Sequence, residues 1–152
     1  MNTRIYLAGP LFTSAERCWN EWLAGELRER GYGVLLPQEE ANAFITPRGI
    51  DFGEIFSMCI RQIREADAVV AIFDGTDVDS GTAFECGYGY AMGKPIVGIR
   101  TDLRSGGEEN GVNAMLSRCC HQLVHVPAFN RSDELVSSIV LALSALKGVP
   151  AG

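Results

Sequence analysis

Five short apolar runs recur along the chain, and between them the hydrophobic positions change to a spacing of three and four. The runs Arg4–Ala8, Gly33–Leu36, Ala68–Phe73, Pro95–Ile99 and Gln122–Val126 are too continuously apolar for a sheet with one wet face, so they predict parallel strands covered on both sides. The intervening stretches predict helices over Ala15–Arg30, Gly53–Glu65, Thr82–Met92 and Ser132–Leu146, with a shorter one over Val112–Cys119. Thr13 or Ser14 caps the first helix and Gly31 stops it. Trp19, Trp22, Leu23 and Leu27 form its apolar stripe. Strands alternating with helices are the pattern of an α/β fold, here one domain over residues 1–152. In such a sheet the ligand crevice lies beyond the carboxyl ends of the strands. That rule gathers Gly9–Phe12, Asp74–Gly81 and the segment from Arg100 around one pocket. Pro37–Phe52 and Arg100–Gly111 are expected to be long loops that serve binding.

Composition narrows the class. The chain has 152 residues, 47% hydrophobic and 21% charged, which argues against disorder or a fibrous architecture. A formal charge of −6 without a Lys/Arg cluster argues against polymeric nucleic acid as a ligand, because phosphate neutralisation supplies most of that affinity. Cys18, Cys59, Cys86, Cys119 and Cys120 are scattered without a C-x-x-C pair, and there are only two histidines. No metal site is expected, and the thiols read as the reduced cysteines of a cytoplasmic protein. The apolar run that ends at Gly9-Pro10 is too short for a signal peptide or a membrane span.

The chemistry concentrates in Asp77–Tyr88, which follows the most apolar strand and enters a helix. Asp79 sits at the helix cap and Glu85 about one and a half turns inside it. Gly81, Gly87 and Gly89 surround Glu85, although each glycine weakens a helix by up to about 1 kcal/mol relative to Ala; close approach of backbone or ligand would favour them. A carboxylate near a helix N-terminus is expected to be held ionised, the form that attacks an anomeric carbon with oxocarbenium character. The plainer alternative is a capping Asp79 and a solvated surface Glu85. The first loop has neither a Gly-x-Gly-x-x-Gly pattern nor a Lys-Ser/Thr pair, so it reads as an apolar floor under a neutral base or sugar. Cys119 and Cys120 read as packing residues, His121 and His125 as surface residues, and Trp19 and Trp22 as core or subunit contacts. Asp74 and Asp77 are either turn residues or further pocket carboxylates.

Tyr6-Leu-Ala-Gly-Pro-Leu-Phe12, Ala66-Asp67-Ala-Val-Val-Ala-Ile-Phe73, Asp79-Ser-Gly-Thr-Ala-Phe-Glu85-Cys-Gly-Tyr88 and Gly93-Lys-Pro95, together with Asn113-Ala-Met115, resemble the nucleoside 2-deoxyribosyltransferase family. The resemblance implies a flavodoxin-like, doubly wound, five-stranded parallel sheet with helices on both faces, and a double displacement without metal or organic cofactor. Glu85 matches the nucleophile that forms a covalent deoxyribosyl-enzyme, and Asp79 the carboxylate that manages the base's proton. Tyr6, Gly9, Phe12 and Gly81 fall among the substrate contacts. Asn113 and Met115 match residues that reach a neighbouring subunit's site, which implies a homodimer or larger assembly. Cys59 stands where the family carries Asp or Asn, so base preference does not transfer. The ending Val149-Pro150-Ala151-Gly152 is expected to lack the terminal carboxylate contribution of the short bacterial transferases. Three functions remain open: transfer of 2-deoxyribose between nucleobases, hydrolysis of a nucleoside or its 5′-monophosphate, and a non-catalytic nucleotide-binding module.

Overall fold

The computed structural model describes residues 2–104, 109 and 111–146. Its strands are β1 (Arg4–Ala8), β2 (Gly33–Leu35), β3 (Ile45–Thr46), β4 (Gly49–Ile50), β5 (Ala68–Ile72), β6 (Ile96–Arg100) and β7 (Gln122–His125). The helices are α1 (Ser14–Glu29), α2 (Pro37–Ala41), α3 (Phe52–Glu65), α4 (Ser80–Ala91), α5 (Ala114–Cys119) and α6 (Ser132–Ala145). Five strands form one parallel sheet in the order β2-β1-β5-β6-β7. This is the doubly wound, flavodoxin-like order, with its switch point between β1 and β5.

Strand alternation sorts the core into two layers. Ile5, Leu7, Val70, Ile72, Val97 and Ile99 pack with Leu23 and Leu27 of α1 and with Leu135, Val136 and Ile139 of α6. Tyr6, Ala8, Val69, Ala71, Phe73 and Ile96 face the other way, with Ile63 of α3 and Cys86 of α4. Both faces are therefore covered, as continuous apolar strands require. Trp19 and Trp22, with ring centroids 4.7 Å apart, pack against the first layer.

Local signals set the helix starts. Thr13 and Glu16 form a capping box: Glu16 N–H donates to Thr13 Oγ1 at 3.2 Å, and Thr13 N–H donates to Glu16 Oε2 at 2.8 Å. Asp51 caps α3 and Asp79 caps α4. The expected loop over Pro37–Phe52 is built instead from α2, a 3-10 turn at Asn42–Phe44 and the β3–β4 hairpin. Pro37 opens α2 at the first turn, where a missing N–H costs nothing, and Gly49 supplies the φ of 122° in the hairpin. Of the expected Arg100–Gly111 loop, residues 105–108 and 110 lie outside the described residues, as does the Val149–Gly152 ending. Among the described residues no helix is long and apolar enough to cross a membrane.

At Gly98 in mid-β6, an added Cβ would lie 2.6 Å from Phe73 Cε2 and 2.9 Å from Cys120 Sγ. Gly98→Ala is expected to cost about 1–3 kcal/mol, the usual penalty of overpacking a filled core. Urea denaturation of the variant checks this.

Candidate active site

The ends of β5 and β6 are tied together before any side chain meets a ligand. Asp74 accepts from Thr101 N–H at 2.6 Å, Thr101 Oγ1 at 2.6 Å and Asp102 N–H at 2.9 Å. Asp102 in return accepts from Gly75 N–H at 3.1 Å. Arg100, only 1% exposed, donates to the carbonyls of Phe73 and Arg104 at 2.5 and 2.9 Å. The segment that leads into α4 is thus held from the β6 side. The Asp74 carboxylate takes these three bonds while the residue also lines a hollow of about 290 Å³ with Pro10, Asn20 and Gly75; Asp77 is exposed, its Oδ1 taking the Val78 N–H at 2.9 Å.

Below this loop, α4 lies on the sheet through Thr82, Cys86 and Gly89, all buried. An added Cβ at Gly89 would sit 3.1 Å from Val69 Cγ2, and one at Gly81 would sit 3.1 Å from Asp79 Oδ2. Close backbone approach thus accounts for both glycines, while Gly87 meets nothing within 4 Å. Glu85 lies beside this inner stripe, half-buried, and Tyr6 Oη donates to its Oε1 at 2.5 Å. Tyr6 is 0% exposed. Burial and the neighbouring carboxylate drive its phenol far above the ordinary range, so it stays protonated and donates.

The Glu85 carboxyl is raised from 4.5 to about 7, chiefly by burial; the hydrogen bond from Tyr6 opposes the rise, the charge of Asp79 adds to it, and the Cys59 thiol opposes it. This corrects the expectation of a carboxylate held ionised by the helix terminus. Glu85 lies beyond the first turn, where the dipole acts, and loss of water dominates. The solvated-surface alternative also fails. Cys59, half-buried on α3, touches both Tyr6 and Glu85, and burial pushes its thiol up. Asp79 accepts from Thr82 N–H at 2.9 Å and Thr82 Oγ1 at 3.0 Å, both on Oδ2.

The structure therefore brings Tyr6, Cys59, Asp79 and Glu85 together, with Gly81 in the first turn beside Asp79. Gly9 leaves β1 so close to Ile72 that a Cβ would lie 2.8 Å from its Cδ1. Phe12 is 76% exposed, its N–H bound to Glu16. Asn113 caps α5 by accepting from Met115 N–H at 2.9 Å. Asn113 and Met115 line a different hollow of about 620 Å³ between α4 and α5, whose walls do not include Glu85 or Tyr6. Sequence reasoning missed Glu40 of α2, whose charge acts on Cys59, and missed Arg100. A charged residue ending the apolar run Ile-Val-Gly-Ile was the available signal for Arg100.

A perturbed carboxyl group on α4, bonded to a buried phenol of β1, marks a functional-site candidate in a doubly wound α/β fold. The family described as nucleoside 2-deoxyribosyltransferase matches residues 5–116, and the chain belongs to that family. A Thermofilum pendens protein provisionally named 2′-deoxynucleoside 5′-phosphate N-hydrolase 1 is 28% identical over 137 residues, 90% of this chain and 92% of that protein. The solved structure of a conserved protein from Enterococcus faecalis V583 is 26% identical, with a TM-score of 0.75 over 93% of this chain and 99% of that one. The 2-deoxyribosyltransferase of Bacillus psychrosaccharolyticus is 26% identical, with a TM-score of 0.65 over 88% and 90% of the two chains.

The Glu85 environment sets the sign of a stability effect. Its folded pKa of about 7 lies above the ordinary 4.5, so the folded state holds the proton more tightly and loses stability as pH rises through that window. Glu85→Gln has no proton to lose. Its melting temperature is expected to gain on the wild type between about pH 4.5 and 7 and to keep that lead above it. Parallel thermal melts across pH check this, and equal pH dependence of the two proteins would contradict it.

Proposed function

We propose that the protein transfers 2-deoxyribose between nucleobases through a covalent ester on Glu85. The observation that carries this reading is the half-buried Glu85 carboxyl held by Tyr6 Oη at 2.5 Å, with Asp79 close enough to act on its charge. A carboxyl that titrates near neutrality is available as the carboxylate nucleophile while bearing little water to shed. Tyr6 fixes the oxygen it touches, leaving Oε2 for attack on C1′ of the sugar. The C1′–N bond breaks as the ester forms, and the departing base takes the one proton that the Glu85–Asp79 pair holds between them, carried by Asp79 when Glu85 attacks as the carboxylate. Oδ1 of Asp79 takes no hydrogen bond among the described residues, so it is the atom that meets the base. An incoming base reverses these steps, returning its proton to Asp79 and freeing Glu85.

A second reading, hydrolysis of a 2′-deoxynucleoside 5′-phosphate, is favoured by the name of the Thermofilum pendens relative. The groups acting on Glu85 are a phenol, a thiol and a carboxylate, with no cation among them. Arg104 and Arg118 are already paired, with Asp102 and Glu109. A phosphate dianion gains most from a free guanidinium, so a neutral nucleoside suits this site better. Phe12 and Gly9 would floor the sugar and base. Asn113 and Met115, exposed on α5 and away from their own chain's Glu85, suit the role of contacts to a neighbouring subunit's substrate in a homo-oligomer.

Incubation with a 2′-deoxynucleoside, with and without a second base, separates the readings. Transfer needs the second base, hydrolysis releases free base without it, and a binding module does neither. Glu85→Ala is expected to abolish turnover with the fold retained. Asp79→Asn is expected to lower it by about 10²-fold or more, the range of a lost proton donor. Full activity of Glu85→Ala would remove Glu85 from the mechanism.

A further inference from the structure

The buried Thr82, Cys86 and Gly89 turn α4 toward the sheet. At about 100° per residue, Glu85 then faces α3, and Phe84 lies one step further round, on the outer edge of the same side. The contacts agree with that phase. Cys59 of α3 meets Glu85, and Phe56, one turn before Cys59, meets Phe84 with ring centroids 5.9 Å apart. Tyr88 continues the row, stacked on Phe84 with centroids 6.4 Å apart and planes at 6°. Arg64 of α3 donates from Nε to Tyr88 Oη at 2.6 Å, and its guanidinium lies 5.8 Å from the Tyr88 ring centre. The outer edges of α3 and α4 are therefore joined at two levels, with Glu85 behind the join. Tyr6 closes the sheet side of the carboxyl group. One turn above Glu85 on this edge stands Gly81, which has no side chain to fill the space.

We propose that Phe84, seated against Phe56, is a positioning residue for Glu85: the aromatic pair keeps water from the outer side of the carboxyl group and leaves the approach past Gly81 and Asp79. An apolar ring beside a carboxyl group replaces waters that would solvate its charge, so it disfavours the ionised form. Burial, the first cause of the raised Glu85 titration, thereby gains a named source. The ionisable groups that face Glu85 are Tyr6 from β1, Cys59 from α3 and Asp79 at the head of α4, with Cys86 behind it on α4. Replacing Phe84 leaves all four in place. Phe84 and Phe56 are 53% and 56% exposed and lie outside the two core layers, so trimming either ring opens the seam without hollowing the core. This inference takes Glu85 as the reacting group, as proposed above, but its first test needs no turnover.

The test titrates Glu85 directly, by NMR of the full chain isotope-labelled at the glutamate carboxyl carbons, with its signal identified as the one missing from Glu85→Gln. Wild type is expected to titrate near 7, and Phe84→Ala about one unit lower as water reaches the carboxyl group. Phe56→Ala is expected to move the midpoint the same way from the other helix, and Phe84→Leu to restore most of the wild-type value. The acid limb of kcat/KM is expected to follow these shifts. A wild-type midpoint at the ordinary 4.5, an unchanged or raised midpoint in the folded alanine variants, or a fall in Phe84→Leu equal to that in Phe84→Ala would each overturn the proposal. Phe56→Ala decides alone if Phe84→Ala does not fold. A midpoint that falls as expected in a protein without turnover would support water exclusion by the pair and count only against the Glu85 chemistry.

Discussion

The hydrogen bond from Tyr6 to Glu85 joins the central sheet to the helix laid across it, and the site follows from it. A carboxyl group withdrawn from water is costly unless something replaces the lost solvent. Here a buried phenol and a thiol replace part of it, and the remainder appears as a pKa near 7. That balance requires Tyr6 on the α3/α4 side of β1, which strand alternation provides. It also requires α4 to begin at Asp79, so that Glu85 falls beside the inner stripe of Thr82, Cys86 and Gly89.

The helix can hold that position because its leading loop is tied down from the neighbouring strand. Asp74 and Asp102 bond across the ends of β5 and β6, and the buried Arg100 binds carbonyls of both loops. A guanidinium out of water is tolerated where carbonyl oxygens replace its hydration. The start of α4 is therefore held by backbone and capping bonds between the ends of β5 and β6. Asp79 and Glu85 project from a frame that is already fixed.

Much of this was legible in the residues. Continuous apolar runs marked the five sheet strands to within a residue at each end, because burial on both faces leaves no room for polar alternation. The cap at Asp79 was legible because an Asp before a helical run accepts its free N–H groups, and the place of Glu85 within α4 followed from helical spacing. What was hidden depended on tertiary context. α2 and the β3–β4 hairpin are each too short for periodicity to reveal. The protonation of Glu85 is decided by the depth of its burial, which spacing along a helix does not encode. The web at Asp74, Thr101 and Asp102 joins residues that meet only after the sheet forms.

The central claim is that Glu85 forms a covalent bond to the sugar, and intact-protein mass spectrometry after brief exposure to 2′-deoxynucleosides without acceptor base tests it most directly. The account predicts a mass gain of one deoxyribosyl group on the wild type and none on Glu85→Ala. An adduct that persists in Glu85→Ala, or free base released by wild type with no adduct at any time, would contradict it.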